Sequence, residues 1–533
     1  MLKWLAACFF IGSSIFSTAQ IQLEADPFAA AFFSQNITQE ELKEHLTKIA
    51  SPEFEGRETG SEGQEKAGRY IIKSLRQAGI EKAPQLRDYH QTLAFTILDW
   101  QHLGLRVDSS SFKHMRDFLA LKEQNQNLPE LQASEVIFMG YGIDDANYSD
   151  YLKADVVGKV IMIYLGEPLN EDSISYVTGT QKLSRWSSSL DLKLEAAKRH
   201  KARAVLIVDP QIKKRFSANR SRELGPSMFL KAVPAPTTPN HVFISTKVAK
   251  QIIGDQEVAF MNNLTEIREK GQGRPLPIQS QVIINQHLTR SLLYSKNIIG
   301  YLPGMDSTLQ DEVIILSAHY DHLGKRGNSI FHGADDNGSG TTAVLEIMAT
   351  LAEAKKEGLG PKRSVACIFF TGEEKGLLGS KYYAEHPVIP LSQTVADVNV
   401  DMIGRTDEAH QQNPNYIYVI GSNRLSTELH QINEAVNASF THLDLDYTYN
   451  AKDDPNKFYY RSDHYNFAKH GIPSIFYFSG VHKDYHRPSD IPEKILYNKY
   501  ETVAKLIFHT VWELANRSRR IIVDVKDDTN YNR

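Results

Sequence analysis

Cysteine is nearly absent, with two in 533 residues, Cys8 and Cys367. No disulfide framework can hold such a chain, so its stability must come from large apolar cores, and its length points to two or three domains. An excess of one charge is missing too. Lys and Arg number 60 against 64 Asp and Glu, a net charge of −4, which removes the electrostatic ground for a nucleic-acid partner. The local basic runs Lys213–Arg215 and Arg517–Arg520 read as solvated faces. Beyond the N-terminus no stretch is apolar enough to serve as a transmembrane segment. No internal repeat and no low-complexity tract interrupts a composition that reads as globular, 41% hydrophobic and 23% charged.

The first residues differ. "MLKWLAACFFIGSSIFSTAQ" carries Lys3, an apolar stretch from Trp4 to Phe16, and small residues at Ser17 and Ala19. That is the pattern of a signal peptide over 1–19, cleaved after Ala19, and the mature protein is expected to be exported, periplasmic or secreted. "LAAC" mimics a lipoprotein box, but Cys8 leaves almost no apolar region ahead of it, so lipid anchoring is not expected. Cleavage would leave Cys367 alone inside "SVACIFF", where it reads as a small core hydrophobe rather than a nucleophile.

Three textures follow along the chain. Residues 20–96 contain helices: Thr38 and Glu41 make a capping-box pattern, and "GSEGQEKAGRYIIKSLRQAGI" has helical apolar spacing and a stopping glycine. Residues 97–284 carry short β-like runs ("SEVIFMGYGI", "GKVIMIYLG", "ARAVLIVDP") and one helical stretch, "SLDLKLEAAKRHK". Over 285–520, near-continuous apolar strands alternate with helices. This predicts an α/β sandwich, a mixed, largely parallel sheet flanked by helices, with a β-rich insert. Residues 521–533 read as a charged tail.

The chemistry gathers at strand ends. "VIILSAHYDH" ends on His319 and Asp321, "VACIFFTGEE" on Glu373 and Glu374, and "VADVNVDM" on Asp401. Asp335 and Asp336 precede a helix, and His482 and His486 follow the strand "SIFYFSG". Strand carboxyl ends in open α/β sheets form the crevice where ligands bind. Singly, each residue has an ordinary explanation: a structural histidine, helix-start acids, turn chemistry at "DDNGSG". Together they place carboxylates and imidazoles on one rim, and crowded carboxylates need a cation. Two zinc ions suit the donor mixture best, and other divalent metals also suit it. Asn337-Gly-Ser matches a glycosylation sequon yet falls inside this rim.

"HYDHLG", "GADDNGSG", "TGEEKGLLGS", "NVDMIG", "RSDHYNF" and "DYHRPSD", in this order, resemble the M28-type dizinc aminopeptidases. "FEGRETGSEGQEKAGRYI" resembles that family's leading segment. By position, the resemblance implies that His319 and Asp401 hold one metal, Glu374 and His486 the other, and Asp336 bridges both. Asp336 is preferred to Asp335 because the family's bridging acid directly precedes the position of Asn337. Asp321 resembles the acid that orients the histidine ligand. Glu373 would be the general base acting on a metal-bridging water. Tyr485 matches a tyrosine that donates to the oxyanion, and Arg461 an arginine at the substrate pocket. His322, His464 and His482 read as structural.

The stretch "VIFMGYGIDDANYSDYLKADVVGKVIMIYLGEP" resembles the protease-associated domain inserted in such peptidases. The implied activity is removal of N-terminal residues from peptide substrates. The alternatives are a carboxypeptidase of the same superfamily, a one-zinc glutaminyl cyclase, and a non-catalytic binding protein on this scaffold. Oligomeric state, native metal and side-chain preference stay open.

Overall fold

The structure, a computed structural model, describes residues 21–526 apart from Leu224 and Gly273. The expected signal peptide over 1–19, with Cys8, and residues 527–533 lie outside the described residues. The chain divides at Leu93/Ala94 and Leu293/Tyr294 into two compact units, a discontinuous one built from its first and last parts and an inserted one between them.

In the discontinuous unit, the main run of the sheet is Leu276–Leu302 (β1, contributing residues 298–302), Val313–His319 (β2), Ser364–Phe370 (β3), Thr394–Val400 (β4), Tyr416–Ile420 (β5), Asp444–Asp446 (β6) and Ser474–Phe478 (β7), with the short strand Glu81–Lys82 paired beside β1. Their order is β6-β5-β7-β4-β2-β3-β1. The central four, β7, β4, β2 and β3, run parallel, while β1 and β5 pair antiparallel with their inner neighbours. Every residue of β2, β3 and β4 is buried, as both faces of a parallel sheet must be covered. This is the expected mixed, largely parallel architecture. The five-residue β5, "YIYVI", was not anticipated.

One face of the sheet packs on helices Gln39–Ile49 (α1), Glu62–Ala78 (α2), Gly340–Lys356 (α3), Thr427–Val436 (α5) and Tyr497–Asn516 (α6). Ile299, Ile315 and Phe370 on the other face meet Tyr383 of Leu378–Glu385 (α4) and Phe467. Local chemistry sets the helix ends. The Thr38 hydroxyl accepts from the Glu41 amide (3.3 Å) and donates to its carboxylate (2.9 Å), so the predicted pair caps the helix, with the carboxylate on the hydroxyl rather than on the Thr38 amide. Ser61 caps α2, and Gly79 ends it in the left-handed conformation (φ 80°). Cys367 is fully buried, and burial pushes its thiol up to about 12, consistent with a core hydrophobe.

Arg517 departs from the expected solvated face. It is buried and pairs with Glu513 (2.7 Å), Glu428 (3.0 Å) and Glu24 (3.0 Å). The Glu513 carboxylate also accepts the amides of Glu24 (2.9 Å) and Ala25 (3.0 Å), so α6 holds the start of the described chain. The tail likewise begins attached, the Asp524 amide donating to Leu425 O at 3.1 Å.

The inserted unit has its own parallel strands, Leu128–Phe138, Val160–Tyr164, Ala204–Val208 and Asn240–Ile244. Its helices include Leu190–Arg199, the one expected, together with Ile212–Glu223, Thr246–Ile253 and Glu257–Lys270. The second of these, "IKKRFSANRSRE", has no apolar stripe by which to be recognised. No helix among the described residues is long and apolar enough to cross a membrane.

Candidate metal centre

The parallel strands deliver their ends to one rim. His319 is the last residue of β2, and Asp401 directly follows β4. Glu373 and Glu374 lie three and four residues beyond β3, and His482 and His486 follow β7. Asp335 and Asp336 sit in a widened turn, Ala334–Ser339, ahead of α3, with Asp336 extended (φ −102°, ψ 99°). Gly333 permits that turn. It has φ +56°, and a Cβ there would lie 2.2 Å from Asp336 O and 2.5 Å from the His322 ring.

Asp336 stands between two groups of donors. Its Oδ1 is 3.5 Å from His319 Nε2, which lies 3.4 Å from Asp401 Oδ1 and 3.8 Å from Glu373 Oε2. Its Oδ2 is 3.1 Å from His486 Nε2, itself 3.2 Å from Glu374 Oε2. Asp335 points elsewhere: its carboxylate accepts the Gly404 amide (2.7 Å) and faces His482 (3.4 Å). His319, Asp336, Glu374, Asp401, His486 and Glu373 are thus brought together. Asp321 is fully buried beside them, accepting from Thr59 Oγ1 (2.7 Å) and the Glu373 amide (3.2 Å). The nearest partner of His319 Nδ1 is the Asp321 carbonyl at 3.1 Å, with the carboxylate at 3.8 Å.

His322 also belongs to this centre. It is fully buried, with Nδ1 2.8 Å from Glu374 Oε1 and 3.7 Å from Asp336 Oδ2. Its place one residue after Asp321 in "HYDH" was the available signal. Asp490 accepts the amides of Asp335 (3.0 Å) and Asp336 (3.2 Å), and Ser462 donates to Asp401 Oδ2 (2.8 Å). His464 is core, stacked on Phe476. Asn337 is fully buried and donates to Val400 O, which rules out its use as a sequon.

Charge is balanced within the cluster. Burial, with Glu374 and Asp401 nearby, holds Glu373 well above the usual carboxylate range. Burial also opposes ionisation of Glu374, but the His322 hydrogen bond and the nearby His486 imidazole outweigh it and hold this acid well below that range. His486 is pushed up to about 10, Asp336 and Glu374 overcoming its burial. A divalent cation would take over this balancing and release the protons. The donors fit such an ion: imidazole nitrogens and carboxylate oxygens suit zinc, and Asp401 Oδ1 and His486 Nε2 are buried without a well-aligned hydrogen-bond partner. His486 (φ 55°) and Met402 (φ 59°) take left-handed backbone, a strain typical of functional sites.

Asp336, Glu373 and Asp401 open onto a cleft walled by Met402, Phe458, Phe476, Phe478 and Val481. Tyr485 and Arg461 complete the wall. The Tyr485 ring stacks on His486 (3.8 Å), and burial beside Asp336 and Glu374 pushes its hydroxyl up, so it keeps its proton. The Arg461 guanidinium lies 4.4 Å over the Phe458 ring.

Residues 297–511 match the model of peptidase family M28. This region is similar to the M28 peptidases. The chain is 30% identical over 212 residues to a probable leucine aminopeptidase of Trichophyton verrucosum, covering 38% of this chain and 55% of that protein. It is 26% identical over 233 residues to aminopeptidase YwaD of Bacillus subtilis, covering 42% and 46% respectively. The chain thus spans about half the length of these curated relatives. The fold is that of the aminopeptidase from Aneurinibacillus sp. strain AM-1, with a TM-score of 0.53 and 18% identity, over 94% of this chain and 100% of that one.

Proposed function

We propose that this protein is an exported zinc aminopeptidase that removes N-terminal residues from peptides, with two zinc ions held by the M28 domain. The observation that carries the reading is the double-sided placement of Asp336, one oxygen toward His319 and Asp401, the other toward His486 and Glu374. Zinc, when bound, supplies Lewis acidity at the scissile carbonyl. Glu373, at the cleft, takes a proton from the attacking water and returns it to the leaving amine nitrogen. Its raised proton affinity suits it to both transfers. Tyr485 donates its hydroxyl proton in a hydrogen bond to the developing oxyanion. Asp321 is fixed by Thr59 and holds the Glu373 backbone in place. The apolar walls favour large apolar N-terminal side chains, and the inserted unit is read as a protease-associated domain from its sequence pattern.

The test is metal content of the purified protein, with Leu-p-nitroanilide hydrolysis measured before and after chelation. About two zinc ions and chelator-sensitive hydrolysis support the reading. One zinc without hydrolysis favours the cyclase, and no metal after zinc is added back favours a binding protein. Arg461 in the cleft wall favours a second reading, a carboxypeptidase gripping the substrate carboxylate. Cleavage of N-blocked peptides at their free C-terminus would decide for it.

A further inference from the structure

Arg57 lies 262 residues before His319 in sequence, and its side chain is almost completely buried, 1% exposed. Four of its five N–H donors go to main-chain carbonyls. Nε reaches Tyr320 O (2.9 Å), Nη1 reaches Ile49 O (2.9 Å) and His332 O (2.8 Å), and Nη2 reaches Gly333 O (2.8 Å). Tyr320 sits between His319 and Asp321. His332 and Gly333 lead directly into the turn that carries Asp336. One planar group therefore ties together the two loops whose donors converge on the centre. The Arg57 carbonyl adds a further tie, accepting the His322 amide at 3.1 Å.

Two further observations set this arginine apart from ordinary packing. Its backbone is left-handed (φ 51°), a conformation that side-chain-bearing residues adopt at a cost and that persists where surroundings over-determine it. Among the described residues no carboxylate forms an ion pair with its charge, yet it lies within the field of Asp336, Asp490, Asp321 and Glu374. A buried cation bonded only to carbonyls leaves the carboxylates their lone pairs. An ion pair with Asp336 would instead consume the oxygens that face His319 and His486.

We propose that Arg57 is a positioning residue for the metal centre: its guanidinium fork sets the spacing of the 319–322 and 332–336 loops, and its charge offsets the carboxylates without occupying them. The proposal rests on the zinc reading above. Lysine at this position would keep the charge, but a single ammonium cannot reach Tyr320, His332 and Gly333 in one plane. Fork and charge can therefore be separated.

The experiment compares the wild-type full chain with Arg57→Lys and Arg57→Met. Zinc dissociation constants are measured on folded protein by competition with a chromophoric chelator, and thermal unfolding is followed with and without zinc. Loss of a group that holds ligands in place typically weakens metal binding about 10–100-fold. That loss is expected in both variants, with a smaller zinc-induced rise in Tm. Arg57→Lys, which keeps the charge, should lose less of its Tm without zinc than Arg57→Met. Wild-type zinc affinity in folded Arg57→Met overturns the proposal. If Arg57→Met does not fold, wild-type affinity in Arg57→Lys overturns the role of the fork. A wild-type chain that binds no zinc overturns the metal reading, and this proposal with it.

Discussion

Both units contain parallel strands with acids near their ends, yet among the described residues only the discontinuous unit gathers its acids and imidazoles into groups that could hold a metal ion. In the inserted unit, Asp209 follows Ala204–Val208, where its carboxylate takes Arg215 Nε (2.7 Å) and the Gln211 amide (2.8 Å). Glu167, beyond Val160–Tyr164, accepts the Ser184 amide at 3.0 Å. Asp150 accepts Tyr148 Oη (2.6 Å) and the amides of Ile143 (2.9 Å) and Tyr141 (3.1 Å). Each acid is satisfied by its own neighbours. In the discontinuous unit, Asp336, Glu373, Glu374 and Asp401 face one another and the imidazoles instead. A sheet edge provides the place, and chemistry appears only where local partners leave donors pointing at a common centre.

The severest way to break this contrast is Asp336→Ala. It removes the oxygen offered to each half of the centre, so zinc content should fall at both positions and hydrolysis should vanish, read by elemental analysis beside the rate. Glu373→Gln should keep the metal and lower kcat by about 10²–10⁴-fold, the usual contribution of a general base. Near-normal turnover would show that the proton is taken elsewhere.

The inserted unit should answer to pH through stability. Burial raises Asp150 from its ordinary 3.8 to about 6, so the folded chain binds more protons between those values. Stability should therefore fall, by on the order of 3 kcal/mol, as pH rises from about 4 to about 6. Burial lowers Lys193 from 10.5 to about 8, so the unfolded chain binds more protons between these values and stability should recover above pH 8. Thermal unfolding of the full chain should show this unit weakest between about pH 6 and 8, and Asp150→Asn should flatten the acid limb. The smallest effect is expected from Arg215→Ala, which frees Asp209: about 1 kcal/mol of stability, with zinc content and rate unchanged. A change in zinc content there would collapse the distinction between the two edges.

The sheet was legible because strands buried on both faces must be apolar throughout, as "VIILSA" and "SVACIFF" are. The rim was legible because its donors directly follow those runs. Supporting residues were not. Arg57 acts on Tyr320 across 263 positions, and nothing in "FEGRETG" states where its fork will go. His322 looked structural because one imidazole beside another motif residue has many ordinary uses, and only folding brings Glu374 to it. Arg517 looked solvated because its partners Glu24 and Glu428 are distant in sequence. Long-range pairing is what a local pattern does not contain.

The clamp of α6 on Glu24 and Ala25 closes the discontinuous unit on itself. Helix α6 buries Val503, Leu506, Ile507 and Val511 beneath the sheet whose strands lead to His319 and Asp401. The early helices share that core, so the two stretches of chain that build this unit depend on each other for burial. A proteolytic nick that released α6 would therefore uncover the backing of the rim together with the helices at the start of the described chain.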